Sequence, residues 1–189
     1  MQPLDLRAGE LLLRPWRDDD LDGLAAALQE AEVRRWNDPG SLTPEDIRAV
    51  LDRRRDWSAG THAAFAVVAA AGGELLGSVS LLSIDREEGH AEIGYWTVAA
   101  ARGRGVAVRA VIAVCSWAFA DLRLDRIELF HAVENVASGR VAAKAGFTLE
   151  GRLRRSHRYG DGEKHDELLW SRLSDDPAPD LVELGAVRG

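Results

Sequence analysis

Apolar residues along this chain come in short runs set apart by glycine, proline and acidic clusters, and their period alternates between that of strands and that of helices. Leu11-Leu12-Leu13-Arg14-Pro15-Trp16 reads as a first strand halted near Pro15. Asp18-Asp19-Asp20 then caps a helix to about Leu28, with negative charge at the positive end of its dipole. Asn37-Asp38-Pro39-Gly40 is a turn cluster. Thr43-Pro44-Glu45-Asp46 opens a second helix, with threonine as N-cap and proline at the first helical position, running to about Trp57. Ile47, Val50, Leu51 and Trp57 are its candidate buried positions. Residues 62–70 and 75–83 form a hairpin about Ala71-Gly72-Gly73-Glu74. Residues 90–98 give the next strand, 106–120 a long apolar helix, 126–133 a further strand and 138–145 a short helix closed by Gly146. A final strand pair, 147–159 and 163–173, surrounds Gly160-Asp161-Gly162.

The pattern predicts a mixed α/β (α+β) sheet with helices inserted at two places. Strands 90–98 and 126–133 should run parallel, because a helical crossover joins them. Residues 1–174 read as one domain, and Asp175-Asp176-Pro177-Ala178-Pro179-Asp180 marks its end, leaving 175–189 as a loosely ordered tail.

A length of 189 residues, 46% of them apolar, is enough to bury a substantial core. No apolar run approaches the ~20 residues that span a bilayer, and the N-terminus lacks the basic start and apolar core of a secretory signal. A single cysteine, Cys115, cannot form an internal disulfide, which fits a reducing cytoplasm. A net charge of -7 argues against a general nucleic-acid binder. No membrane partner is expected, and the oligomeric state is open, a homodimer included. The five histidines lack metal-ligand spacing, so no metal is expected.

The candidate chemistry begins at Arg102-Gly103-Arg104-Gly105-Val106-Ala107, between a strand and the long helix. A glycine-bearing turn feeding a helix aims unpaired amides and partial positive charge at one spot, which suits a phosphate or pyrophosphate. Read alone, it is equally an ordinary strand-to-helix turn. A dinucleotide-binding loop fits poorly, because Val108 stands at the third glycine position.

With the residues around it, this stretch resembles the GNAT acyl-CoA N-acyltransferase superfamily. Arg102, Gly105 and Ala107 match that family's Q/R-x-x-G-x-G/A loop. Glu92-Ile93-Gly94-Tyr95-Trp96, Asn135-x-x-Ser138-x-Arg140, Lys144-Ala145-Gly146-Phe147, Glu150-Gly151 and Asp161-Gly162-x-x-x-Asp166 are similar to its Rim-type branch, the ribosomal-protein N-terminal acetyltransferases and their relatives. The likeness spans roughly residues 10–173. It implies that the two parallel strands splay apart and hold the pantetheine of acetyl-CoA, or another short acyl-CoA, against the backbone of Trp96, Thr97 and Val98. The pyrophosphate would lie on Arg102, Gly103, Arg104, Gly105, Val106 and Ala107. A backbone N–H near Trp96 would hold the thioester oxygen, and Asn135 would hydrogen-bond the pantetheine arm, its other reading being a turn or cap residue.

Many family members carry a tyrosine general acid seven residues after that asparagine; here the position is Ala142. Ser138 is the replacement the branch suggests, its other reading being a cap hydroxyl. Glu92 is the first candidate base, on one strand face with His90, Gly94 and Trp96 and acting through a water, or else an ordinary salt-bridged glutamate. His131 is the second candidate. An α-amine, with pKa near 7.8, is about a tenth neutral at pH 7, whereas a lysine amine is below about a thousandth, so the lack of an obvious strong base favours the former. Cys115 reads as core. Trp36 and Trp57 either line an acceptor cleft or pack inside, and Arg152-Leu153-Arg154-Arg155 is a solvated strand end or a contact for the 3′-phosphate of CoA. The expected activity is transfer of a short acyl group to a primary amine, a protein N-terminus or a small molecule, by direct attack in a ternary complex. The alternative is a non-catalytic acyl-CoA sensor on the same fold.

Overall fold

The computed structural model describes residues 1–37, 40 and 42–179. In chain order the elements are β1 (Leu6–Ala8), β2 (Leu11–Pro15), α1 (Leu21–Gln29), α2 (Ala31–Asn37), α3 (Pro44–Arg55), β3 (Ala63–Ala69), β4 (Leu75–Asp85) and β5 (His90–Thr97). They continue with α4 (Val106–Trp117), β6 (Arg126–Ala132), α5 (Val136–Lys144), β7 (Thr148–Arg158) and β8 (Lys164–Leu173). The strands form one sheet in the order β1-β2-β3-β4-β5-β6-β8-β7.

Every pairing among the described residues is antiparallel except that of β5 with β6, as the helical crossover requires. That parallel pairing covers only His90↔Arg126, Ala91↔Ile127 and Glu92↔Glu128. Beyond it β5 stays with β4 as far as Thr97, while β6 stays with β8 as far as Ala132. The two strands therefore fork. The fork is the feature on which the site depends.

Each sheet face carries its own core. On one, Val79, Leu81, Ile93, Ile127 and Leu129 meet Val111, Val114 and Cys115 of α4. On the other, Val68 and Trp96 meet Leu24, Leu28, Val33, Ile47 and Leu51 of α1 to α3. Alternation along β5 thus puts Glu92, Gly94 and Trp96 on the face of α1 to α3, and Ala91, Ile93 and Tyr95 on the α4 face. Helix α4 buries Val106, Val108, Val111, Ile112 and Val114, each worth at most roughly 1.5–3 kcal/mol of apolar burial. Its N-terminus is consequently fixed relative to the fork.

Several local readings change in the folded chain. Thr43 caps α3 as its sequence demands, accepting from the Asp46 amide at 3.2 Å. Asp20 does not cap α1: its buried carboxylate takes both Arg14 nitrogens at 2.7 and 2.8 Å and the Arg17 amide at 2.8 Å. Tertiary ion pairing has displaced the local cap. Strand β1 and helix α2 have no counterpart in the hydrophobic pattern, being only three and seven residues long. Asn37 ends α2, and Asp38 and Pro39 of the expected turn lie outside the described residues. Helix α3 stops at Arg55, with Trp57 buried just beyond it, and Val50 is only half-buried. Of the expected tail, residues 180–189 lie outside the described residues.

Candidate functional site

A cavity of about 930 Å³ opens at the fork, with β5, the loop after it, α5, and residues from α2, β7 and β8 as its walls. Gly103 and Gly105 of the loop adopt φ of 74° and 72°, the left-handed region that residues with a Cβ avoid. Gly105 is the N-cap of α4 and has no side chain with which to cap it. The first-turn amides of Val106, Ala107 and Val108 have no intrahelical acceptor, and all three residues line the cavity.

The loop arginines behave differently from each other. Arg102 is braced: its Nη2 meets Glu30 Oε2 at 2.6 Å and its Nε donates to the Thr97 carbonyl at 3.2 Å. Glu30 also accepts from the Ala99 amide with both oxygens. The Arg102 side chain therefore fixes the loop to the end of α1. Arg104 lies outside the cavity wall and is exposed.

Along β5, the Val98 amide donates to the Leu76 carbonyl and the Val98 carbonyl accepts from Ala101, so Val98 has no free N–H for an extended ligand. The expected pantetheine contact at Val98 would therefore have to compete with these two backbone bonds. Val98 continues the ladder in which Trp96 pairs with Ser78 and Gly94 with Ser80. By alternation, Trp96 directs its own N–H toward β4, whereas Tyr95 and Thr97 turn theirs toward the fork. The open amides are neighbours of Trp96 and not its own.

Helix α5 brings Asn135 and Ser138 to the opposite wall. Asn135 Oδ1 accepts from the Ser138 amide at 3.1 Å and so caps the helix. Ser138 is buried, and its Oγ lies 2.7 Å from the Tyr95 hydroxyl, which also reaches the Ser138 carbonyl at 3.2 Å. Burial pushes the Tyr95 phenol well above its ordinary value. Ala142 is fully buried, in the packed core beneath this wall. Sequence reasoning missed Tyr95 because alternation gives it the profile of a core residue.

The far end of the cavity is acidic and aromatic. Burial raises the Glu92 carboxyl above its usual range, and the Glu167 charge adds to the effect. Glu167 is buried and accepts from Tyr159 Oη at 2.8 Å and Ser156 Oγ at 2.7 Å. Trp36 and His157 complete this end, with Trp36 edge-on to Tyr159 at 5.7 Å between ring centroids. Glu167, Tyr159 and His157 carried no motif to mark them.

His131 is spoken for. Trp170 Nε1, which can only donate, points at His131 Nε2 from 3.0 Å, and His131 Nδ1 lies 2.8 Å from the Ala132 carbonyl. The ring is therefore the neutral tautomer with its lone pair engaged, and burial lowers its pKa. It is not placed to take a proton. Trp57 packs on Phe65 and Trp117 in the core, so only Trp36 of the two candidate tryptophans reaches the cavity. The Cys115 thiol is fully buried and pushed up to about 12, which fits its reading as core. Arg152 pairs with Asp166 at 2.7 Å.

Comparison with known proteins agrees with this architecture. Residues 10–148 match the family model described as the acetyltransferase (GNAT) domain. The ribosomal-protein-serine acetyltransferase of Escherichia coli (strain K12) is 32% identical over 103 residues, 54% of this chain and 56% of that protein. The aligned stretch thus spans just over half of that relative. An N-acetyltransferase of uncharacterised role from Bacillus subtilis (strain 168), YoaA, is 27% identical over 88% of this chain and 94% of its own. Mycobacterium smegmatis RimJ, solved in complex with CoA-disulfide, superposes with a TM-score of 0.79 at 26% identity, covering 91% of this chain and 86% of that one. The forked sheet, the glycine-bearing start of its central helix and the family match over residues 10–148 lead to one conclusion: this chain belongs to the GNAT acetyltransferase family.

Proposed function

We propose that the protein moves an acetyl or other short acyl group from acyl-CoA to a primary amine, most readily an α-amine, by direct attack in a ternary complex. The observation that carries this reading is the fork: open amides at Tyr95 and Thr97 run into the uncapped first turn of α4, with Ser138 and Glu92 on the walls of the same cavity. An unpaired strand edge accepts an extended chain with alternating amides, which is the form of a pantetheine arm. The amides of residues 103–108 suit its pyrophosphate, supported by the dipole of α4.

The chemistry follows from these placements. The amine must lose a proton, and Glu92, with its raised carboxyl, takes it through a water. The nitrogen lone pair then forms the bond to the thioester carbon, while an open amide of β5 faces the developing oxyanion. The C–S bond breaks with its electrons on sulfur, and Ser138 Oγ–H lies on the wall where that charge appears. Amide and free CoA thiol result, with the proton lost by nitrogen balancing the one gained by sulfur. The engaged lone pair of His131 leaves Glu92 as the better-placed base.

The acidic, aromatic end of the cavity supports an amine acceptor, because Glu92 and Glu167 oppose an incoming carboxylate there. Release of CoA thiol from acetyl-CoA, measured with short peptides carrying a free α-amine beside a polyamine, tests the whole reading. Gly105→Glu places bulk in a left-handed position and negative charge against the phosphate site, and should abolish acetyl-CoA binding in calorimetry. Unchanged affinity refutes the loop assignment. Acetyl-CoA binding without release of thiol to any amine supports the sensor instead.

A further inference from the structure

Tyr95 and Ser138 are 43 residues apart, and their hydroxyl oxygens lie 2.7 Å from each other across the fork. Two hydroxyls at that distance share one hydrogen bond, and either can donate it. In one arrangement Ser138 donates to Tyr95, and Tyr95 donates to the Ser138 carbonyl at 3.2 Å. Both protons are then consumed inside the wall, with none directed at the cavity. In the other, Tyr95 donates to Ser138 Oγ, and the serine proton is free to turn outward. The two differ only by rotation of hydroxyl hydrogens, so no heavy atom need move.

We infer that Tyr95 is a positioning residue: its phenol donates to Ser138 Oγ and thereby presents the serine O–H to the sulfur of the departing CoA. This rests on the acyl-transfer reading above and adds a side chain that the reading does not use, since that reading draws only on the Tyr95 backbone amide. Charge developing on sulfur selects the second arrangement, because only there does the sulfur receive a hydrogen bond. The donated phenol bond also polarises the serine O–H, which strengthens its hydrogen bond to the sulfur while the serine keeps its own proton. A phenol titrates near 10 and a thiol near 8.5, and burial raises Tyr95 further. Tyr95 therefore keeps its proton. It orients and polarises Ser138, and the proton that finally resides on CoA balances the one lost by the amine.

Free CoA tests this without an acceptor. Its thiolate can be followed by ultraviolet absorbance as pH is raised, with CoA bound to the native protein, Tyr95→Phe, Ser138→Ala and the double variant. Glu32, Glu92, Arg102, His131, Arg140, Lys144, His157, Tyr159 and Glu167 also line this cavity and are the same in all four proteins, so the comparison isolates Tyr95 and Ser138. The native protein should give the lowest thiol midpoint. Ser138→Ala should raise it by about one pH unit, corresponding to about tenfold weaker thiolate stabilisation. Tyr95→Phe should raise it by a smaller amount, and the double variant should match Ser138→Ala, since Tyr95 acts only through the serine. All four proteins should still bind CoA at low pH, so that each midpoint is read on the bound thiol. Identical midpoints for the native protein and Tyr95→Phe overturn the inference, and so does an additive double variant. Failure of the native protein to bind CoA at all overturns the acyl-CoA reading together with this one.

Discussion

Gly77 is the position where a single added methyl group tests how closely the fork depends on its neighbours. It lies on β4 opposite Thr97, next to the last residues of β5. A Cβ built there would overlap the Trp96 carbonyl oxygen, with Thr97 Cα at 3.1 Å and Thr97 Cγ2 at 3.3 Å. The principal obstacle is backbone, so no side-chain rotation relieves it. To restore ordinary contact the end of β5 must retreat by on the order of 1 Å, an overpacking cost of about 1–3 kcal/mol. For a domain of this size that corresponds to a fall in Tm of roughly 2–12 °C. The same retreat moves the Tyr95 and Thr97 amides, and a displacement of about 1 Å at a reacting centre can cost on the order of 10²-fold in rate. Gly77→Ala should therefore melt earlier by scanning calorimetry and bind acetyl-CoA more weakly in titration. Gly72→Ala is the control, because nothing lies within 4 Å of its Cβ, and it should leave both readings unchanged. If Gly77→Ala matches its control in both, β5 does not depend on this close approach and the reasoning fails.

The burial-raised pKa of Glu92 predicts an ascending limb of the rate–pH profile above the ordinary carboxylate range, absent in Glu92→Gln; an unaltered profile would retire Glu92 as base. For stability the sign is opposite: the native state holds this proton where the unfolded chain has lost it, so Glu92 destabilises as pH rises through that window. Glu92→Gln should accordingly gain stability at neutral pH, and a loss in chemical denaturation would contradict the burial argument. Asp20→Ala leaves the buried Arg14 guanidinium without its carboxylate and should cost about 3–5 kcal/mol, read by urea denaturation; a cost within the surface range of ±0.5 kcal/mol would count against a structural ion pair. Burial opposes ionisation of Asp20, but Arg14 and the Arg17 amide outweigh it and lower the pKa. That stabilisation is present above the ordinary aspartate value and is lost as pH falls through the lowered one. Gly160→Ala would overlap the Arg34 carbonyl and displace the β7–β8 turn from α2, so KM for an active amine acceptor should rise while acetyl-CoA affinity holds; an unchanged KM would detach this turn from acceptor binding.

The amino-acid sequence by itself determined the order of the principal strands, the long helix after the glycine-bearing loop, the N-cap at Thr43 and the parallel direction of β5 and β6. These follow from short-range rules: side-chain period, turn chemistry, and the handed crossover that a helix imposes between two strands. The motif around Arg102 and Asn135 was legible because its residues lie within a few positions of one another. Tertiary structure decided which of those residues are free to act. Glu30 meets Arg102 across 72 positions, Tyr95 meets Ser138 across 43, and Trp170 occupies the lone pair of His131 across 39. No periodicity encodes such encounters. They arise when two cores pack on opposite faces of one sheet, and burial in that packing, not residue type, raises Glu92 and fixes His131 in its neutral form.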